Sequence, residues 1–232
     1  VTQQSKMFDC VTSTYNPLGG ECPHDCTYCW VKILKRRYPN LQKKYSGPPR
    51  LIPKELKRQF KPDEFVFVQD MSDLFADNVP SECIQTILDY IRKFPNTWFL
   101  LLTKNPKRYH QFNIPLNCIC GATIETNRWK TYDVSKADLF DRIYWMTELN
   151  HIKMVSIEPV MDFDVDEFFV YLIAMCFKGT LKFVYLGLDN YNTGLIPPPH
   201  YKIVKLVEKL GDTSIEVRLK PSIQQRREEV TR

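Results

Sequence analysis

The sequence predicts an α/β protein, a partial (open) TIM-like βα barrel of about six units. Three observations carry this. Short β-rich runs alternate with helical patterns along all 232 residues, the order that builds a largely parallel sheet. Those runs are nearly continuous in apolar residues, as strands are when helices cover one face and a packed interior the other. The length falls short of the roughly 250 residues of a complete eight-unit barrel, and six units can be found.

In chain order, strands are predicted at 8–12, 65–69, 98–103, 119–124, 154–158 and 183–187, with a closing segment at 216–220. Between them, Ile84, Ile87, Leu88 and Ile91 recur at helical spacing, as do Phe168, Phe169, Leu172, Ile173 and Cys176, and a last helix carries Ile203, Val207 and Leu210. A flat doubly wound sheet has the same periodicity and stays open as an alternative. No internal repeat or long linker divides the chain, so one domain is expected over 1–232, with loose ends at 1–6 and 222–232.

Composition narrows the class further. With 44% hydrophobic and 25% charged residues the chain reads as an ordinary folded domain. The longest apolar runs fall well short of the ~20 residues of a membrane span, and no basic-then-apolar leader opens the chain at Val1. Eight cysteines, unevenly spaced, suit reduced thiols in a cytoplasmic setting better than a secreted disulfide scaffold.

Three of those cysteines lie within eight residues, in Cys22-Pro23-His24-Asp25-Cys26-Thr27-Tyr28-Cys29-Trp30, after the first predicted strand and before a helix. Soft thiolates select iron-sulfur clusters, Zn or Cu(I). Three ligands on four irons leave one iron open, which suits a catalytic site rather than a closed structural one. A zinc site is the alternative, with His24, Cys10, Cys118 or Cys120 as fourth ligand, although no second pair has finger-like spacing. His24 itself is read as an exposed residue in a variable part of the spacing, and the other five cysteines as small core residues.

The pattern Cys22-x3-Cys26-x2-Cys29, with the aromatic Tyr28 before the last cysteine, resembles the signature of radical S-adenosylmethionine (radical SAM) enzymes. Tyr15-Asn16-Pro17, Met71-Ser72-Asp73-Leu74-Phe75, Leu102-Thr103-Lys104-Asn105-Pro106 and Ser156-Ile157-Glu158-Pro159 further resemble a phage-associated, three-cysteine radical-SAM-like family of largely unknown function. The resemblance implies a fold of radical SAM type. It implies a 4Fe-4S cluster on Cys22, Cys26 and Cys29 that cleaves S-adenosylmethionine reductively, giving a 5′-deoxyadenosyl radical for hydrogen abstraction. Tyr28 would contact the adenine.

Polar residues at the carboxyl ends of the strands are the remaining candidates, because a βα barrel places its reactive groups there. Asp70, Ser72 and Asp73 replace the Gly-Gly-Glu-like segment that receives the cofactor's amino group in relatives. Thr103, Lys104, Glu125 and Glu158 end later strands and would bind ribose hydroxyls, ammonium or carboxylate. Asn190, Asn192 and Lys220 are lesser candidates.

Between positions 31 and 61 stand eleven basic residues against the single acid Glu55, which leaves the rest of the chain at net −5 out of a total of +5. Such a segment draws polyanions. Tyr38, Tyr45 and Phe60 lie among the lysines and arginines, an arrangement that suits a nucleotide or nucleic acid. An acidic electron donor of the flavodoxin or ferredoxin type would be attracted by the same surface. The competing reading is a non-enzymatic iron-sulfur or zinc protein that binds nucleic acid or a protein partner.

Overall fold

The computed structural model describes residues 8–132, 134–191 and 193–224. Nine strands and six α-helices are assigned among them. In order these are β1 (Ser13–Tyr15), β2 (Leu18–Gly19), α1 (Trp30–Arg37), α2 (Pro39–Lys44), β3 (Arg50–Leu51), β4 (Phe65–Val68), α3 (Ser81–Ile91), β5 (Trp98–Thr103), β6 (Cys118–Thr123), α4 (Leu139–Glu148), β7 (His151–Ile157), α5 (Val165–Ala174), β8 (Gly179–Leu186), α6 (His200–Gly211) and β9 (Glu216–Leu219). Seven strands follow the sheet order β1-β4-β5-β6-β7-β8-β9, and β2 pairs with β3. The class is the α/β arrangement expected from the alternation of periods. No helix among the described residues is long and apolar enough to cross a membrane.

The chain forms two compact units, one of Val1–Asp25 with Cys29–Gly121, the other of Cys26–Tyr28 with Ala122–Arg232. In the first, β1, β4 and β5 pair in parallel. Against them α3 buries Ile84, Ile87, Leu88 and Ile91 completely, the stripe its spacing predicts. Phe60 packs edge-on to Tyr15, Phe94 and Phe99. In the second, β7, β8 and β9 pair in parallel, with α5 burying Phe168 and Leu172, and α6 burying Ile203, Leu206 and Leu210.

The first strand lies later than expected. Residues 8–11 close a turn in which Val11 N–H donates to Phe8 C=O at 3.2 Å, and pairing with β4 begins at Thr12 N–H to Phe65 C=O, 2.9 Å. Phe8 and Val11 are buried, so their apolar character reports packing rather than a ladder. The strand proper, Ser-Thr-Tyr, hides its polarity through Arg58, which donates to Ser13 Oγ at 2.9 Å and to Thr14 C=O.

Helix α4 was not expected. Its buried stripe of Leu139, Ile143 and Met146 is blurred by exposed Phe140 and Tyr144 on the opposite face. Asp138 starts it by accepting Asp141 N–H at 2.9 Å. Strand β7 begins three residues early because Lys153 is fully buried, its ammonium donating to the carbonyls of Met146 and Leu149 at 2.9 and 2.7 Å. A lysine spent on a helix C-terminus in this way reads as surface in a sequence.

Two further expectations change. Tyr45 and Phe60 are core residues, which leaves Tyr38 as the one exposed aromatic of the three named in the basic segment. Cys10 and Cys176 lie in turns rather than in strand or helix. At the carboxyl end, Ile223 is 1% exposed and its N–H donates to Lys220 C=O, so the chain is packed as far as Ile223. The part of 222–232 beyond residue 224, the segment 1–6 and Asn192 lie outside the described residues.

Candidate functional site

The three-cysteine loop leaves β2 under restraint. Gln69, the first residue past β4, grips both backbone groups of Leu18, accepting from its N–H at 3.0 Å and donating to its C=O at 2.9 Å. Gln69 has φ +62°, a left-handed conformation that costs a non-glycine residue energy and is held here by its own side-chain bonds. Farther on, Asp25 also turns left-handed at φ +50°, a role that aspartate tolerates. Its carboxylate pairs with Lys32 at 2.5 Å.

Cys22 and Cys29 are half-buried and Cys26 is buried, and none of the eight cysteines forms a disulfide. Cys29 stands at the N-cap of α1 with its side chain making no cap hydrogen bond. Among the described residues no group of three His, Cys, Asp or Glu side chains is arranged to hold a lone metal ion. The donor set of three thiols on a short loop, one at a helix start, has the chemistry that an iron-sulfur cluster takes.

Two aspartates follow β4 in the first unit. Asp73 accepts from His24 Nε2 at 2.7 Å, Thr103 Oγ1 at 2.9 Å, Lys104 N–H at 2.7 Å and Phe75 N–H at 2.9 Å. Burial pushes this carboxyl up, but His24 and the other donors together outweigh burial and hold it below the usual carboxylate range. His24, expected to be exposed, is buried instead, because Asp73 gives its imidazole a partner. Asp70 is less enclosed. Asn16 Nδ2 donates to it at 2.6 Å, and burial pushes its carboxyl up. Ser72 Oγ accepts from Gln69 Nε2 at 2.7 Å, and Thr103 Oγ1 accepts from Asn105 N–H at 2.8 Å. Asp73 and Thr103 are thus occupied by the scaffold, while Asp70 keeps acceptor capacity.

In the second unit, the Tyr28 hydroxyl donates to Glu125, which is fully buried and paired through its other oxygen with Arg142 at 2.7 Å. Arg142 also donates to Thr123 C=O, Ser135 Oγ and Ala137 C=O. Burial first, then the Glu125 carboxylate, raises the Tyr28 phenol far above its ordinary range. Tyr28 is therefore anchored through its hydroxyl, and Glu125 serves as the anchor. Arg142 was missed because it sits on the unexpected α4.

Glu158, at the end of β7, meets Lys220 at 2.5 Å and Asn190 Nδ2 at 3.1 Å. Burial pushes its carboxyl up, and Lys220 opposes that. Gly187 makes room for it, since a Cβ there would stand 2.7 Å from Glu158 Oε1. Here the sequence named all three polar partners.

The basic segment is partly spent on structure. Arg50 donates to the carbonyls of Lys43, Lys44, Ser46 and Pro48, and Arg58 to β1. Lys35 bonds Tyr45 C=O at 2.8 Å. Arg36, Arg37, Lys43, Lys54, Lys57 and Lys61 remain exposed, with Arg37 lying 5.6 Å from the Tyr38 ring centroid.

The arrangement of these elements is shared with solved structures of one enzyme. A cysteine-to-serine mutant of spore photoproduct lyase matches with a TM-score of 0.63 at 9% identity, over 94% of this chain and 79% of that one. The lyase complexed with dinucleoside spore photoproduct matches with a TM-score of 0.58 at 10% identity, over 92% and 64%. A double mutant with bound AdoMet and dinucleoside spore photoproduct matches with a TM-score of 0.55 at 10% identity, over 91% and 66%. These likenesses establish the fold as the open βα barrel expected from the sequence. By sequence, the chain belongs to the family described as "Protein of unknown function (DUF5131)", whose model matches residues 6–179. No curated protein matches.

Proposed function

We propose that this protein is a radical SAM enzyme that acts on a nucleotide or nucleic acid. The observation that carries the reading is the loop Cys22-x3-Cys26-x2-Cys29, placed between β1 and β4 of a βα barrel of the spore photoproduct lyase kind. Cys22, Cys26 and Cys29 would hold a 4Fe-4S cluster, and the motifs around Asn16, Asp73, Lys104 and Glu158 support membership of the phage-associated three-cysteine group. When bound, the cluster supplies the electron that cleaves S-adenosylmethionine to methionine and a 5′-deoxyadenosyl radical.

The chain's own residues have distinct tasks. Asp70 accepts the ammonium of the cofactor's methionine moiety, the role left open by the missing Gly-Gly-Glu-like segment. Tyr28, fixed by Glu125 and Arg142, presents its ring to the adenine. The Glu158–Lys220 pair orients ribose or substrate hydroxyls at the end of β7. The buried apolar interior excludes water from the reacting atoms. A nucleic-acid substrate is supported by the exposed cations around Tyr38 and by the dinucleoside bound to the structural neighbour. The same cations suit an acidic flavodoxin or ferredoxin as electron donor. Reduced thiols imply a cytoplasmic setting.

The test is anaerobic reconstitution with iron and sulfide, followed by dithionite and S-adenosylmethionine. The wild type is expected to release 5′-deoxyadenosine, and Cys22→Ala, Cys26→Ala and Cys29→Ala each to release none. Turnover persisting in any of the three with iron still bound overturns the reading.

A further inference from the structure

His24 lies inside the three-cysteine loop, yet its side chain is only 9% exposed. Its partner Asp73 does not depend on it for position. Thr103 Oγ1 and Lys104 N–H at the end of β5, and Phe75 N–H two residues after Asp73 itself, fix the carboxylate from three directions. The imidazole therefore docks on an acceptor preset by strand ends. Three more bonds, from two side chains, bring the approach to the loop onto the same stretch of chain. Gln69 holds Leu18, and Asn78 Nδ2 donates to Glu21 C=O at 3.0 Å. Residues 69–78 thus supply three anchors to residues 18–24.

We infer that His24 is a positioning residue for the cluster, which with Asp73 latches the first half of the loop, and with it Cys22, in place before iron arrives. The inference rests on the proposed role of the cysteines. Its chemical basis is preorganisation: the entropy of ordering the loop is paid during folding rather than on metal binding. His24 needs no contact with iron for this role, only its hydrogen bond to a carboxylate that is already fixed.

The experiment alkylates the metal-free protein with iodoacetamide and maps the modified cysteines, using buried Cys118 and Cys120 as internal controls. Losing a buried hydrogen bond to a charged group should speed modification of Cys22 in His24→Ala by about tenfold, with the controls unchanged. His24→Gln, whose amide N–H replaces Nε2, should return the rate towards wild type. A chelator should strip iron from reconstituted His24→Ala correspondingly faster.

An unchanged Cys22 rate in folded His24→Ala overturns the latch and leaves the proposed function standing if the wild type still forms 5′-deoxyadenosine. A wild type that takes up no iron overturns the proposed function, and the latch's role towards a cluster with it. If His24→Gln alkylates like wild type but binds no iron, His24 is a ligand and the latch is wrong. Should the controls in His24→Ala also react fast, Thr103→Val decides, since it loosens Asp73 without altering the loop: faster Cys22 modification supports the latch and an unchanged rate overturns it.

Discussion

Asp70 and Asp73 stand three positions apart after the same strand, and their surroundings divide their work. Asp73 accepts from four donors, whereas Asp70 accepts from Asn16 and keeps room for another cation. Asp70→Asn should weaken S-adenosylmethionine binding about tenfold by titration calorimetry, the scale of one charge-assisted bond, with little change in thermal unfolding. Asp73 belongs to stability. Its folded-state carboxyl is lowered, so its contribution is present above the unfolded value near ~3.9 and is lost as pH falls through the lower folded value. Urea-unfolding free energy should therefore drop more steeply below about pH 4 in the wild type than in Asp73→Asn. Both aspartates were legible as polar residues at a strand end, but nothing in the sequence separates the occupied one from the available one. His24 was misread for the same reason: its partner lies 49 residues away.

At the scale of elements, period and β-rich composition gave β5 to the residue and β4, β6, β7 and β8 to within four residues, because these are mainly apolar runs, whereas the run predicted at 8–12 stops short of β1 altogether. What escaped were elements whose polar groups are satisfied out of sight. Lys153 illustrates this. Replacing it with Met removes the buried donor shared by carbonyls at the end of α4, and should cost about 1–3 kcal/mol in chemical denaturation. Ile87→Ala on α3, fully buried, should cost about 2–5 kcal/mol. The helix was expected and the lysine was not, yet both substitutions should shift the unfolding midpoint clearly.

Across the whole molecule, charge is the property most plainly written in the sequence, and the fold redistributes it. Arg58 turns inward onto β1 and Arg50 is tied at the surface to backbone carbonyls, while Arg36, Arg37, Lys43, Lys54, Lys57 and Lys61 stay exposed. Binding of a single-stranded oligonucleotide through these cations should weaken steeply with salt, and Arg36→Glu with Arg37→Glu should flatten that slope while leaving cleavage of S-adenosylmethionine without substrate intact. A salt-insensitive slope would point instead to a small substrate. The thiols are distributed just as unevenly. Cys118 and Cys120 are sealed within β6, with burial pushing the Cys118 thiol far up, whereas Cys22 and Cys29 stay partly open to solvent. Air therefore reaches Cys22 and Cys29 well before the thiols inside the strand. A sample left on the bench should age by falling silent while still intact, and its melting curve will be a poor guide to its freshness.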